Sequence, residues 1–354
     1  MERTARAAAL VVAVAMTVAA CGDDGPANTA DNRPTSPSTS STPFTGTTLE
    51  PGEVIRVDNL DGARLHQVDD GVVRSFETSA EVTEFGTATR LGSGEAAYRA
   101  EGDAGLLVFS MTTEREERET PLDGDVVAAV AVDDKQRELP DFSSDEGGDG
   151  EQGEQTSYAV AVPKDRTSVT LDLKYNGVVQ SFDLLEGKPE GERPDALYRA
   201  DRGTVVYQEG LAPSQFDVEV GSQTYANTIT VQRAELGYFP VRGHETPSAK
   251  DKGWLSFWVG MDAKGTTCAA PIAAYTFTGD DGTVYQPAQA ASEIKGPDLL
   301  DTPVAVVAFE VPADLAKGTL TIGAPRVTCQ TSTAEFNEVP AHGTATIAVT
   351  LPAS

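Results

Sequence analysis

The chain has 354 residues, 39% of them hydrophobic, and carries 55 Asp and Glu against 27 Lys and Arg, a formal charge of −28. A body this anionic repels phosphate backbones, which are bound through clustered Lys and Arg, so the composition argues against nucleic acid and against polybasic docking on anionic lipid. The length suits two or three domains, and the plain reading of the charge is solubility.

Residues 1–20 have the three parts of an export signal. Arg3 and Arg6 give a positive start, Ala7 to Val18 form an apolar run, and Val18-Ala19-Ala20 supplies small residues for cleavage. The segment is too short, and Gly22-Asp23-Asp24 after it too polar, for a stable membrane span. Val18-Ala19-Ala20-Cys21 resembles the lipobox of bacterial lipoproteins, in which the thiol receives diacylglycerol and cleavage falls just before it. The resemblance implies two or three acyl chains at Cys21; at roughly 0.8 kcal/mol per buried CH₂, two chains hold a protein durably. The mature chain then has 54 acids and 25 bases, for −29. Residues 21–52, rich in Ser, Thr, Pro, Gly and Asn, read as a lipidated, disordered linker, since such a stretch buries too little surface to offset its ordering entropy.

Past residue 52, short runs rich in Val, Thr, Phe and Tyr alternate apolar with polar and stop at Gly, Asp or Pro. Leu106-Leu107-Val108-Phe109, Tyr158 to Val162 and Val304 to Val311 are examples. This pattern predicts antiparallel sandwiches. An internal repeat is also visible. Gly105 to Phe109 aligns with Gly253 to Phe257, Asp133-Asp134 with Asp280-Asp281, and Val160 to Asp165 with Phe309 to Asp314, all at an offset near 148. A period of domain size predicts a duplication rather than a solenoid, with its boundary in the polar, turn-rich run Glu186 to Pro194. The expected units are a signal at 1–20, a linker at 21–52, a first β-sandwich at 53–188 and a second at 189–354. Within them, Leu107, Phe109 and Met111 should face inward, as should Leu255, Phe257 and Val259. Asp281-Gly282 should make a tight primed turn. Pro163 and Pro312 should mark strand ends, where no ladder donor is required.

The second copy carries a family resemblance. Lys252 to Val259, Tyr275 to Tyr285 with its Gly279-Asp280-Asp281-Gly282 turn, and Val306 to Leu320 resemble the immunoglobulin-like domain of unknown function common on Gram-positive lipoproteins. The likeness is weaker in the first copy, which lacks the Asp-Gly turn. It implies an all-β fold of two tandem immunoglobulin-like β-sandwich domains and an extracellular binding role, with no catalytic site to carry over. The Ala- and Asp-rich, Lys-poor usage suits an actinobacterial genome.

Cys268 and Cys329 are the two thiols left once Cys21 is lipidated, and outside the cytoplasm they are expected to be bridged. The closed loop would contribute about 4 kcal/mol in the chain-entropy model. His66, His244 and His342 are widely spaced, each without a second His or Cys at ligand distance, so each reads as a surface or loop imidazole and no metal or other cofactor is expected. No nucleophile elbow, phosphate-cradling loop or dinucleotide fingerprint occurs, and no catalytic residue is assigned. The acidic, glycine-rich stretch 141–155 reads as a solvated insertion; Asp145, Glu146 and Asp149 are the alternative calcium ligands within it. Trp254 and Trp258 share a strand with Ser256, on the face opposite the Leu255 row and about 13 Å apart. They form a candidate platform for a sugar or a partner protein, unless the loop 238–250 or the neighbouring domain covers them.

These readings converge on a lipid-anchored, extracytoplasmic, non-enzymatic binding or scaffolding module, whose partner is an envelope protein or cell-wall glycan. A carboxylate-dependent envelope hydrolase and a solute-binding receptor are the alternatives; the receptor lacks the expected βαβ spacing. Cys21→Ser should release the protein into the medium or leave it as uncleaved precursor on fractionation. Processed, membrane-bound Cys21→Ser protein would refute the anchor.

Overall fold

The computed structural model describes residues 44–352 apart from 77, 116–125, 141, 143–152, 154, 200–203, 207–213, 221, 242, 244, 264, 265, 295–303, 333 and 334. The expectations for the export signal, for Cys21, for the linker up to residue 43, for His244 and for Asp145, Glu146 and Asp149 therefore lie outside the described residues.

The chain is all-β, and its sheets pack as sandwich-like layers. One sheet runs in the order Val54–Val57, Gln155–Val162, Gly105–Arg115, Thr78–Ala88, Arg64–Gln67, with Val72–Arg74 also on Thr78–Ala88. Opposite it lies a sheet ordered Lys188–Glu190, Val178–Asp183, Val169–Tyr175, Val127–Val132, Lys135–Glu138. Their facing rows make one core: Val82, Leu107, Phe109, Met111 and Val160 against Val130, Leu171, Leu173 and Phe182. Each large apolar side chain buried this way contributes about 1.5–3 kcal/mol.

The later strands form a second pair of layers. A four-stranded sheet, Val284–Tyr285, Tyr275–Gly279, Lys317–Ile322, Ala345–Thr350, shares a core with a nine-stranded one. There Leu255, Phe257, Val259 and Phe309 meet Phe277, Leu320 and Ile347. The nine-stranded sheet also closes on itself. Gln223–Gly237 pairs with both Ser214–Val220 and Lys252–Ala263, and the ring continues through Thr266–Ala269, Arg326–Ser332 and Glu335–His342. Cys268 and Cys329 lie directly opposite each other on two of those strands, and they are bridged. The inward rows predicted on Gly105–Arg115 and Lys252–Ala263 are the observed ones. Pro163 follows the end of Gln155–Val162, and Pro312 is the last residue of its strand.

The landmarks that align in the sequence also occupy matching places in the ladders. Phe109 pairs with Phe85 and Tyr158; Phe257 pairs with Ala234 and Val307, at offsets of 148 and 149. Both ladders carry a bulge at the same level: between Val82 and Glu84 opposite Met111, and between Val231 and Arg233 opposite Val259.

Three expectations need correction. Residues 44–52 are not linker: Thr47–Leu49 pairs in parallel with Tyr98–Ala100, and Leu49 is buried beneath it. Phe44 packs under Arg90 and Arg99, whose guanidinium carbons lie 5.2 and 4.4 Å from its ring centre. The run Glu186 to Pro194 is not purely connecting, since Lys188–Glu190 pairs with Val178–Asp183. The hairpin after Tyr275–Gly279 is not a two-residue primed turn. Gly282 alone takes positive φ (84°), and Asp281 instead accepts from the Thr283 amide (2.8 Å) and hydroxyl (2.7 Å).

Beyond residue 190 the chain ties the two pairs of layers together. Leu197 and Phe239 bury in the first core, where the Phe239 ring lies 5.0 Å from Tyr175 and 5.7 Å from Phe76. Arg74 donates to the Arg199 carbonyl (2.6 Å), while Arg199 donates to the carbonyls of Ala313 and Pro352. Arg193 reaches back to Asp70 (2.9 Å) and the Val72 carbonyl (2.7 Å).

The hairpin turn of the first half rests on Asp133, which sits at φ 51° and accepts from the Thr167 hydroxyl, the Thr167 amide and the Ser168 amide. The Thr167 hydroxyl, then the two amides, hold its carboxyl below its usual value of 3.8. A depressed carboxylate contributes stability that is complete above the unfolded value and disappears as pH falls through the folded one. Asp133→Ala should therefore melt below wild type at neutral pH, with the gap narrowing in strongly acidic solution as the wild-type carboxylate protonates. Calorimetric Tm values giving equal gaps at both pH values would show that the backbone conformation alone matters there.

Candidate functional site

Lys252–Ala263 alternates as its sequence requires, so Trp254, Ser256 and Trp258 share the outer face of the nine-stranded sheet. Only one indole reaches the surface. Trp254 is 4% exposed; its Nε1 donates to the Glu245 carbonyl (3.1 Å), and Ala288, Ala291 and Ala308 pack on it. The covering loop is fastened by Glu310, which accepts from the Ser248 amide (2.9 Å) and hydroxyl and lies 3.3 Å from Lys252. Partial burial pushes the Glu310 carboxyl up, but the Ser248 bonds and Lys252 outweigh it and hold it below the usual range. The two-indole platform is thus corrected: loop 238–250 covers half of it. Trp258 is half-buried, with the Arg233 guanidinium 5.0 Å from its ring centre. Arg233 in turn donates to Glu235 (2.7 Å), which is almost fully buried. Ser256 between the indoles is buried, and its hydroxyl has no hydrogen-bond partner among the described residues.

A second feature has no sequence signal. The outer face of the five-stranded sheet holds a groove of about 550 Å³, lined among others by Asp133, Asp134, Gln136, Asp172, Glu190 and Glu192. At its floor Asp172 is 5% exposed and accepts from Gln136 Nε2 (2.9 Å), Thr170 Oγ1 (2.9 Å) and Ser181 Oγ (2.8 Å). Gln136 in turn accepts from Lys174. Val179 forms part of the wall and is 44% exposed. The lining offers carboxylates, hydroxyls and carboxamides, a set that suits hydroxyl- or ammonium-bearing groups and disfavours phosphates. Asp172 is merely the outward residue of an alternating strand, so nothing in the sequence sets it apart.

Elsewhere, His66 lies 6.0 Å from the Phe85 ring, and His342 pairs with Glu219 (2.9 Å) on an exposed surface. Among the described residues no three His, Cys, Asp or Glu side chains gather into a metal-holding cluster.

Fold and site together define an all-β, disulfide-containing protein. No family model and no curated protein matches the chain. A solved structure, the conserved domain protein from Bacillus anthracis, aligns over 83% of this chain and 93% of its own length, with 7% identity and a TM-score of 0.22. That likeness is too slight to carry an argument about fold or function.

Because the chain has two tryptophans, their environments separate cleanly by fluorescence. Trp258→Phe, which keeps Trp254, should emit in the blue and resist acrylamide, whereas Trp254→Phe should be quenched several-fold more readily. Trp254→Ala should also cost about 3 kcal/mol in urea unfolding, as large buried aromatics do. Equal quenching of the two Phe variants would overturn the assignment.

Proposed function

We propose that this chain is an extracytoplasmic lipoprotein, anchored through Cys21, that binds or scaffolds an envelope partner with two tandem immunoglobulin-like sandwiches. The observation that carries the address is the Cys268–Cys329 bridge, because such bonds persist in oxidising compartments and are rare in the cytoplasm. It agrees with the export signal and lipobox at the other end of the chain. The tandem reading is supported by the matched registers and by bulges at one level in both halves. The polar groove around Asp172 is the surface we assign to the partner: it is concave, built on a sheet rather than on a mobile loop, and chemically suited to a glycan hydroxyl or a basic side chain.

Crosslinking on intact cells, followed by recovery of the protein and its neighbours, tests this reading. A defined set of envelope neighbours should be enriched with the native chain. Asp134→Asn, Glu190→Gln and Glu192→Gln together should cut that enrichment roughly tenfold, the equivalent of about 1.4 kcal/mol. Equal enrichment would remove the groove from the proposal. Recovery of the chain unprocessed in the cytosol would remove the proposal itself.

A further inference from the structure

The groove on the five-stranded sheet is acidic on both flanks and at its floor. Asp133 and Asp134 come from the turn after Val127–Val132, and Glu190 ends the edge strand Lys188–Glu190, with Glu192 just beyond it. Asp172 lies on Val169–Tyr175, between those flanks in the strand order. Asp133 is already committed to Thr167 and Ser168, which leaves Asp134, Asp172, Glu190 and Glu192. None of the residues lining the groove is a lysine or an arginine. Lys250 stands 3.9 Å from Glu192 with both side chains mostly exposed, and Lys174 donates to Gln136.

Asp172 sets this place apart from the many exposed acids of a chain of charge −28. It is 5% exposed, and its three donors, on Gln136, Thr170 and Ser181, are all neutral. Among the described residues one other carboxylate is buried to this degree, Glu235 at 2%, and it has the Arg233 guanidinium 2.7 Å away. A buried carboxylate calls for hydrogen bonds and for an opposite charge. At Asp172 the chain itself supplies the hydrogen bonds, while Lys174 reaches it only through Gln136.

The lining narrows the class of ligand. Phosphates and carboxylates are repelled, and a neutral sugar finds no aromatic ring to lie on, since the groove has none. A bare divalent ion needs several converging carboxylates, and no such cluster occurs among the described residues. An ammonium or a guanidinium offers donors alone, and the stem of a lysine or arginine is apolar. Val179, on the wall, is 44% exposed, one of two large hydrophobic side chains so placed among the described residues, and such a stem would cover it. A volume of about 550 Å³ suits a side chain with its flanking backbone rather than a lone ion. Taking the groove to be the partner's surface, as above, we propose that it binds a lysine- or arginine-bearing segment of a partner protein, with the cationic head over Asp172 and the stem along Val179.

An NMR titration of the full chain at about 0.15 M salt, where attraction between exposed charges fades beyond roughly 8 Å, tests this. The probes are the end-capped peptide Lys-Ala-Lys, the same peptide with both ammonium groups acetylated, and the neutral sugar triacetylchitotriose. The lysine peptide should shift the Asp172 and Ser181 amides saturably, and its acetylated form should bind about tenfold more weakly or less. Asp134→Asn, Glu190→Gln and Glu192→Gln together should weaken the lysine peptide about tenfold, as should Asp172→Asn. Glu95→Gln, Glu101→Gln and Asp103→Asn together remove as many exposed charges away from the groove and should leave binding unchanged. Should Asp172→Asn unfold, the three-residue groove variant decides. Equal binding of the two peptides, no shift at the floor, or an equal loss in the two triple variants overturns the proposal. Triacetylchitotriose moving these amides where Lys-Ala-Lys does not also overturns it, yet leaves the groove as the partner's surface. Envelope enrichment indifferent to the groove variant instead removes the reading on which the proposal rests.

Discussion

With no helix longer than a three-residue turn among the described residues, the buried apolar side chains find their cover mainly across sheets, and the strand amides their partners mainly in neighbouring strands. The central three-strand ladders meet both demands in each half, and a bulge in one strand makes this possible. Strand side chains alternate with a period of two, so one extra residue exchanges the faces. Val82 faces the first core, and past the bulge Phe85 packs against the same core. Val231 faces the second, and Ala234 and Leu236 follow it inward. Without the bulge, the far half of each long strand would turn its apolar row outward. Local irregularity thus keeps an eleven-residue strand, and a fifteen-residue one, in contact with a single core.

The connection between the halves obeys a different constraint. Glu186 to Pro194 is polar because it lies at the surface, but the residues after it are not. Ala196 and Leu197 bury at once, and Phe239 enters the first core from beyond the next long strand. Arg199 is almost fully buried, and donates to the carbonyls of Ala313 and, near the end of the chain, Pro352. A buried guanidinium is tolerated when its donors are used, and here they link the far part of the chain to the joint. A sequence run that reads as a flexible boundary is therefore followed by residues that fix it.

This contrast marks what was legible in the sequence. The inward rows of Gly105–Arg115 and Lys252–Ala263 were legible because a strand between two layers writes its burial as alternation. The pairing of Cys268 with Cys329 was legible because, once Cys21 is set apart, only one partner remained for each. The ring closure of the nine-stranded sheet was not, since Ser214–Val220 meets Glu335–His342 across more than a hundred residues and nothing local encodes that meeting. Whether loop 238–250 covers Trp254 was left open by the sequence, because the fastening of that loop at Ser248 depends on Glu310 from a distant strand. Leu49, alone in a run of Ser, Thr and Pro, makes no periodic pattern, yet its burial orders the start of the folded body. Asp172 looks like any outward polar residue until three strands bring Gln136, Thr170 and Ser181 around it.

The charge imbalance has a structural counterpart. With 27 bases for 55 acids, ion pairs cannot neutralise the carboxylates, and exposed pairs such as Lys317–Asp280 and Arg326–Glu338 contribute at most about 1 kcal/mol each. Many acids instead accept backbone amides at turns: Asp183 from Leu185 and Glu186, Glu53 from Glu50, Asp133 from Thr167 and Ser168. A carboxylate used this way fixes a turn that a neutral side chain would fix less firmly. Glu235 differs from these: it lies buried against Arg233 within a strand rather than at a turn. Acids are spread unevenly over the strands, and Ala345–Thr350 carries none, so a neutral strand is compatible with a strongly acidic chain.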